Sequence, residues 1–367
     1  MICHKSVIFQ PYRPSIAQVR ICYVKETMKS LIKKALIISA ISLAPTAFAV
    51  DMTGAGSSFI YPVLAKWAEA YKTKTGNSLN YQSIGSGGGI KQIKAKTVDF
   101  GATDAPMSFE DLEAGGMVQF PAIIGGVVPV VNIEGIKPGE LKLSGDLLSD
   151  IFIGQVTNWS DKRIALMNPG LKIPAGDITV VTRADGSGTT AIFTNYLSKV
   201  NKAFKDTVGF GASVKWPAAS TVSGKGNEGV AANVSRVKNS IGYVEYAYAK
   251  KNHLSYTQMK NASDKFVEPT GATFAAASAG TDWSKFPGMN TFITNAPGAN
   301  AWPITGATFV VVYKKPENKV NAAEVLKFFD YGFVNGKQMA SDLDYVPMPD
   351  ATTNYIRKSV WSQIQAK

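Results

Sequence analysis

The stretch Arg183-Ala184-Asp185-Gly186-Ser187-Gly188-Thr189-Thr190 sets a planar cation, two glycines and the hydroxyls of Ser187 and Thr189 within eight positions. The β-branched run Ile178 to Thr182 before it predicts a buried strand. The apolar spacing of Ile192, Phe193, Tyr196 and Leu197 after it predicts a helix. A glycine turn between strand and helix presents free backbone N–H groups at the positive end of the helix dipole, which suits an anion. Arg183 adds a guanidinium fork, and Asp185 is better placed to orient that fork than to meet an anion itself. By itself such a turn is equally the capped start of an ordinary helix.

Three further stretches repeat the theme. Thr53-Gly54-Ala55-Gly56-Ser57-Ser58-Phe59 leads into a helix with Leu64, Trp67, Ala68 and Tyr71 on one face, and Ser58 is its expected cap or a donor. Leu79 to Ile84 reads as a strand, followed by Gly85-Ser86-Gly87-Gly88-Gly89 and a helix start, with Ser86 at the centre of the turn. Val98-Asp99-Phe100-Gly101-Ala102-Thr103-Asp104-Ala105-Pro106 delivers Asp104 to a turn, with Ser108 and Asp111 capping the next helix. Gly224-Lys225-Gly226-Asn227-Glu228-Gly229 is read as a helix entry without an assigned ligand role.

These turns need a scaffold of alternating strands and helices. Further strands are expected at Gly125 to Ile133, interrupted by Pro129 and a candidate connection between lobes, at Ile241 to Tyr246 and at Thr308 to Tyr313. Asn321 and Glu324 suggest a capping box opening a helix from Ala322 to Phe333, and a last helix is expected from about Thr352 to Gln365. The pattern predicts an α/β architecture, in which ligands bind beyond the carboxyl ends of the strands.

Residues 28 to 49 have the form of a secretory signal: a basic start from Met28, a ten-residue apolar run from Ala35 to Ala44, and Ala47-Phe48-Ala49 before the cut. Residues 1 to 27 are read as a non-native upstream extension. Both cysteines, Cys3 and Cys22, precede the cut, which leaves the mature chain without thiol chemistry. Its 318 residues carry 32 basic and 26 acidic side chains, a net +6, with no Lys/Arg block dense enough for nucleic acid.

Together, the runs at Thr53 to Phe59, Ile84 to Gly88, Asp99 to Pro106 and Arg183 to Thr189 resemble those of the periplasmic phosphate-binding protein of high-affinity phosphate ABC importers. Ile241 to Tyr246, Ala301-Trp302-Pro303-Ile304-Thr305 and Asp342 to Tyr345 also fit, and the likeness covers nearly all of residues 51 to 367. It implies a two-lobed periplasmic binding protein of type II-like form, with a ligand cleft between lobes joined by crossing strands. The implied lobes are residues 50–130 with 295–367, and residues 131–294.

The resemblance implies phosphate ligands at Ser58, Phe59, Ser86, Asp104, Arg183, Ser187, Gly188 and Thr189, with Asp185 in support. Phe59 would act through its backbone N–H, and Ser58 stands where threonine is common. No cofactor and no metal are implied. The implied partners are inorganic phosphate and the permease of an importer with its ATPase subunits, and the free protein would be a monomer. Asp104 would repel an anion that brings no proton, whereas phosphate keeps a P–OH near neutral pH.

Two rival readings follow from the same donors. A secreted phosphoester hydrolase would need an activated nucleophile, yet the mature chain has one histidine, His253, in a polar run, and no G-x-S-x-G elbow. A binder of another tetrahedral oxyanion, such as sulfate or molybdate, would suit an all-donor site without Asp104.

Overall fold

The structure, a computed structural model, describes residues 8–11 and 49–366. The expected signal segment, but for Ala49, and the expected upstream extension, but for residues 8–11, lie outside the described residues. The strands in chain order are β1 (Asp51–Gly56), β2 (Ser78–Ser83), β3 (Phe100–Thr103), β4 (Met117–Asn132), β5 (Lys142–Leu143), β6 (Thr179–Arg183) and β7 (Thr221–Gly224). After them come β8 (Ser240–Glu245), β9 (Ser255–Tyr256), β10 (Gln258–Lys260), β11 (Phe266–Val267), β12 (Thr305–Tyr313) and β13 (Val346–Pro347).

One mixed sheet runs β2-β1-β3-β12-β4-β8-β6-β7, with β9 and β13 also paired to β4, and β11-β10-β5 form a small second sheet. Two groups of parallel strands flank an antiparallel centre. β1 lies parallel to β2 and β3, and β6 lies parallel to β7 and β8. β4 joins the groups: Met117 to Gly126 pair with β12, and Val127 to Asn132 pair with β8. Its sixteen residues are buried except the last, which is why it reads as a nearly continuous apolar run rather than an alternating one. The connection expected at Gly125 to Ile133 is therefore the second half of a longer strand.

At the handover the backbone is pinned from outside the ladder. Val127 N–H donates to Ile304 O at 2.9 Å, and Trp302 Nε1 donates to Val127 O at 2.9 Å. Gly126 is required here, because a Cβ would lie 2.1 Å from the Phe274 ring.

Each group of strands has its own aromatic core. On the β1 side, Phe329 sits edge-on to Phe100, Phe120 and Phe328 with centroids 5.2, 5.6 and 5.2 Å away. On the β6 side, Phe193 stacks on Tyr243 at 4.2 Å, and Phe152 packs edge-on against Phe193 at 4.9 Å.

Three local expectations are corrected. The helix Tyr61–Thr75 has Ile60 at its N-cap with no side-chain cap, so Ser58 does not cap it; the Ser58 carbonyl accepts from Tyr61 N–H instead. The helix Lys319–Asn335 begins earlier than expected and is capped by Asn318, which accepts from Asn321 N–H. The expected capping pair does other work: Asn321 donates to Asp99, and Glu324 is buried against Tyr71 and Asn77. The last helix is α-helical only over Asp350–Tyr355, then widens to a π turn at Ile356–Val360 and tightens at Trp361–Gln363.

No helix among the described residues is long and apolar enough to cross a membrane. Phe329 is fully buried at the centre of the first core. Phe329→Ala is expected to lower unfolding stability by about 3–5 kcal/mol, read from urea denaturation at constant m-value.

Candidate functional site

Two parallel groups of strands end at facing edges. β1, β2 and β3 run into the Ser57-Ser58-Phe59 loop, the Gly85-Ser86 turn and the Asp104 turn. β6, β7 and β8 run into the Arg183 to Ser187 loop, the Gly224 to Gly226 turn and Glu245. Carboxyl ends of parallel strands are where helix N-termini present free N–H groups, so both edges offer donors to one space. The helices Ser86–Lys94, Gly188–Val200 and Gly226–Arg236 all begin at this point.

The edges are in direct contact. Gly87 N–H donates to Gly186 O at 2.9 Å, and Gly188 N–H donates to Ser86 Oγ at 3.0 Å. Asn227 donates to Ser58 Oγ from its backbone N–H at 3.1 Å and from Nδ2 at 2.9 Å. Gly188 must lack a side chain, since a Cβ would lie 2.5 Å from both Asp104 Oδ2 and Ser86 Oγ.

Asp104 lies at the centre and is 2% exposed. Its Oδ1 accepts from Ser57 Oγ at 2.5 Å and from Thr308 Oγ1 at 2.6 Å. Its Oδ2 has only Ser86 Oγ, at 3.5 Å, and faces the Gly188 side. Burial raises its pKa from the usual 3.8 to about 6, against the opposing pull of the Ser57 and Thr308 hydrogen bonds and the Arg183 charge.

Arg183 brings the cation, with a side chain 2% exposed. Nε donates to Asp185 Oδ1 at 2.9 Å and Nη2 to Asp185 Oδ2 at 2.6 Å, as expected for an orienting carboxylate. Burial pushes the Asp185 pKa up, but the hydrogen bonds and charge of Arg183 outweigh it and hold the group below its ordinary value. Arg183 Nη1 is buried and has no hydrogen-bond partner in the protein. A buried charged N–H left unmatched is costly unless a ligand meets it.

The remaining expected residues are also here. Ser187 caps its helix, accepting from Thr190 N–H at 3.0 Å, which leaves its hydroxyl proton to donate. Thr189 Oγ1 accepts from Asn227 Nδ2 at 3.2 Å. Phe59 lies beside the cleft with its ring against Tyr345, but its N–H donates to Ser57 Oγ at 2.9 Å.

Sequence reasoning missed Ser57, Thr308 and Asn227. Ser57 stood next to Ser58 in a loop already singled out. Thr308 was read only as part of an apolar strand, and the pairing of Phe309 with Thr103 is what brings it to Asp104. Asn227 lay in a turn read as a plain helix entry.

The geometry defines a cleft that offers hydroxyls, a guanidinium N–H and one protonatable carboxylate to a small oxyanion, on the scaffold of a two-lobed periplasmic binding protein. The profile of the PBP superfamily domain matches residues 43–334. Among curated relatives, the phosphate-binding protein PstS of Haemophilus influenzae is 50% identical over 329 residues, covering 90% of this chain and 98% of its own. The phosphate-binding protein PstS of Pasteurella multocida is 49% identical over 336 residues, covering 91% and 97%. A solved periplasmic phosphate-binding protein, PfluDING bound with phosphate, shares the fold with a TM-score of 0.68 at 21% identity, covering 84% of this chain and 94% of that one. A phosphate-bound ABC transporter substrate-binding protein from Clostridium perfringens superposes with a TM-score of 0.59 at 19% identity, covering 82% and 100%. The chain belongs to the PstS family of phosphate-binding proteins.

The raised pKa of Asp104 carries a stability consequence. Below pH 3.8 the carboxyl is protonated whether the chain is folded or not. Between 3.8 and about 6 the unfolded chain releases the proton first, so folded stability falls as pH rises. Above about 6 the penalty is complete, on the order of 3 kcal/mol for a shift of roughly two units. Anion-free Asp104→Asn is therefore expected to melt above the unaltered protein at pH 7.5, with the gap closing toward pH 4, as read by calorimetric melts across pH.

Proposed function

We propose that this protein captures inorganic phosphate in the cleft between its lobes and delivers it to the permease of an ABC importer driven by ATPase subunits. It acts as a binding protein rather than an enzyme, as its relatives named phosphate-binding protein PstS support, and among the described residues the one histidine, His253, sits on an exposed turn. The observation that carries the reading is the asymmetry of Asp104. One oxygen is saturated by Ser57 and Thr308, the other is left with only a long contact, and Arg183, whose Nη1 is unmatched, is close enough for its charge to act on the carboxylate. A ligand that fits must accept from the guanidinium and donate to the carboxylate. Near neutral pH phosphate retains a P–OH and does both, whereas sulfate has no proton and would set an unpaired oxygen against Oδ2.

Ser58, Ser187 and Thr189 would donate from their hydroxyls, Ser86 by turning its hydroxyl away from its long contact with Asp104 Oδ2, and Phe59 and Gly188 from their N–H groups once these are shared with the ligand. Asp104 would accept the ligand's proton, and Arg183, held by Asp185, would supply Nη1. The lobes are assigned as residues 50–130 with 295–367, and 131–294, with β4 a segment that crosses between them. Residues 28–49 are assigned as a cleaved signal, which would deliver the receptor to the periplasm, and the free protein is assigned as a monomer.

Calorimetric titration of the anion-stripped mature chain tests this. Phosphate is expected to bind at least about a hundredfold more tightly than sulfate, the scale of one buried unpaired polar group. In Asp104→Asn, whose amide can donate to a sulfate oxygen, that ratio should collapse. Equal binding of both anions by the unaltered chain would make it a general oxyanion binder, and heat from neither would remove the transport reading.

A further inference from the structure

A hydroxyl both donates and accepts, so a cleft lined by serine and threonine does not by itself favour an anion. What matters is which way each O–H points, and that is set by what the oxygen already accepts. Ser86 Oγ accepts two backbone N–H groups, from Gly188 at 3.0 Å and Asp104 at 3.2 Å. Ser58 Oγ likewise accepts twice, but both bonds come from one residue, Asn227. With both lone pairs engaged, the Ser58 hydroxyl can only donate.

The orientation of Asn227 is itself fixed. It is fully buried, and its Oδ1 accepts from Glu245 N–H at 2.9 Å, so Nδ2 must face the hydroxyls. The two hydrogens of Nδ2 meet two acceptors, Ser58 Oγ at 2.9 Å and Thr189 Oγ1 at 3.2 Å. Ser58 follows β1 and Thr189 follows β6, so a single amide holds a hydroxyl oxygen on each edge of the cleft, completing the acceptor set of Ser58 and taking one lone pair of Thr189. It does so without charge, and it can reach both oxygens only while the edges are together.

We propose that Asn227 is a positioning residue that fixes the Ser58 hydroxyl as a donor toward the anion and turns that of Thr189 the same way by occupying one of its lone pairs, and so sets the charge preference of the cleft. This rests on the phosphate reading above. Asn227 contacts the hydroxyl oxygens and acts through them.

Two substitutions separate this role from simple support of the fold. Asn227→Asp keeps the acceptor for Glu245 N–H but turns an acceptor toward Ser58 and Thr189, drawing their protons away from the ligand. Asn227→Ala removes both functions. Phosphate titrations of each, alone and combined with Ser58→Ala, are read beside the unaltered protein and beside anion-free melting temperatures. Asn227→Ala is expected to weaken phosphate binding about tenfold or more, and Asn227→Asp to weaken it further despite the better-preserved fold. In the Ser58→Ala background the cost of Asn227→Ala should shrink severalfold, because one of its two targets is gone. The inference is overturned if Asn227→Asp binds as well as or better than Asn227→Ala, or if the Asn227→Ala and Ser58→Ala effects simply add. Absence of phosphate binding by the unaltered protein would instead overturn the phosphate reading itself. Should Asn227→Asp fail to fold, the Asn227→Ala and Ser58→Ala cycle decides alone.

Discussion

The structure turns on the burial of one carboxylate beside one incompletely matched guanidinium. Asp104 is taken out of water, and only one of its oxygens is well supplied with donors. Desolvation lifts its pKa to about 6, and the Arg183 charge limits the rise. Left alone, such a centre opposes folding, because buried charges and unpaired donors cost more than their partial contacts return. That cost marks a place where selection for binding has overridden selection for stability. A ligand able to accept from Arg183 Nη1 and donate to Asp104 Oδ2 relieves both deficits in one event.

The rest of the fold serves to bring those two residues together from distant parts of the chain. Asp104 follows β3 and Arg183 ends β6, and each sits at the carboxyl edge of its own parallel group. β4 makes the edges face each other by giving its first half to β12 and its second half to β8. Close approach then depends on missing side chains. A Cβ at Gly85 would lie 2.0 Å from Asp185 Oδ2, and one at Gly188 would lie 2.5 Å from Asp104 Oδ2. The glycines that looked like helix-entry turns are thus also the surfaces over which the two edges meet.

This explains what could be read in advance. Strand-turn-helix units are local, so their periodicity and glycines announced the α/β scaffold and the donor-rich loops of Ser58, Ser86 and Ser187. The role of Asp185 was legible because its partner is two residues away. Thr308 and Asn227 were not, because their partners lie 204 and 169 residues away and depend on strand pairing and on contact between the two edges. The capping box assigned to Asn321 and Glu324 failed for a related reason. Both side chains had tertiary partners, Asp99 for one and Tyr71 for the other, and those outcompeted the reciprocal capping bonds, leaving the cap to Asn318.

The charge balance of the cleft shows where selectivity must reside. Arg183 is tied by two bonds to Asp185, so the cation arrives already paired. Asp104 adds a second carboxylate, which removes any large net positive field that would draw in all oxyanions alike. One guanidinium against two carboxylates leaves these three groups at −1 when Asp104 is ionised, so attraction at a distance does little to draw in or separate tetrahedral anions. Discrimination falls to hydrogen-bond direction: hydroxyls held as donors, one N–H left over, and a single acceptor. Each of these groups is held by a second residue, Asn227 for Ser58 and Thr189, Asp185 for Arg183, and Ser57 with Thr308 for Asp104. A lysine-lined pocket could hold phosphate by charge alone; under the proposed function this arrangement would instead read which of the anion's oxygens carries the proton.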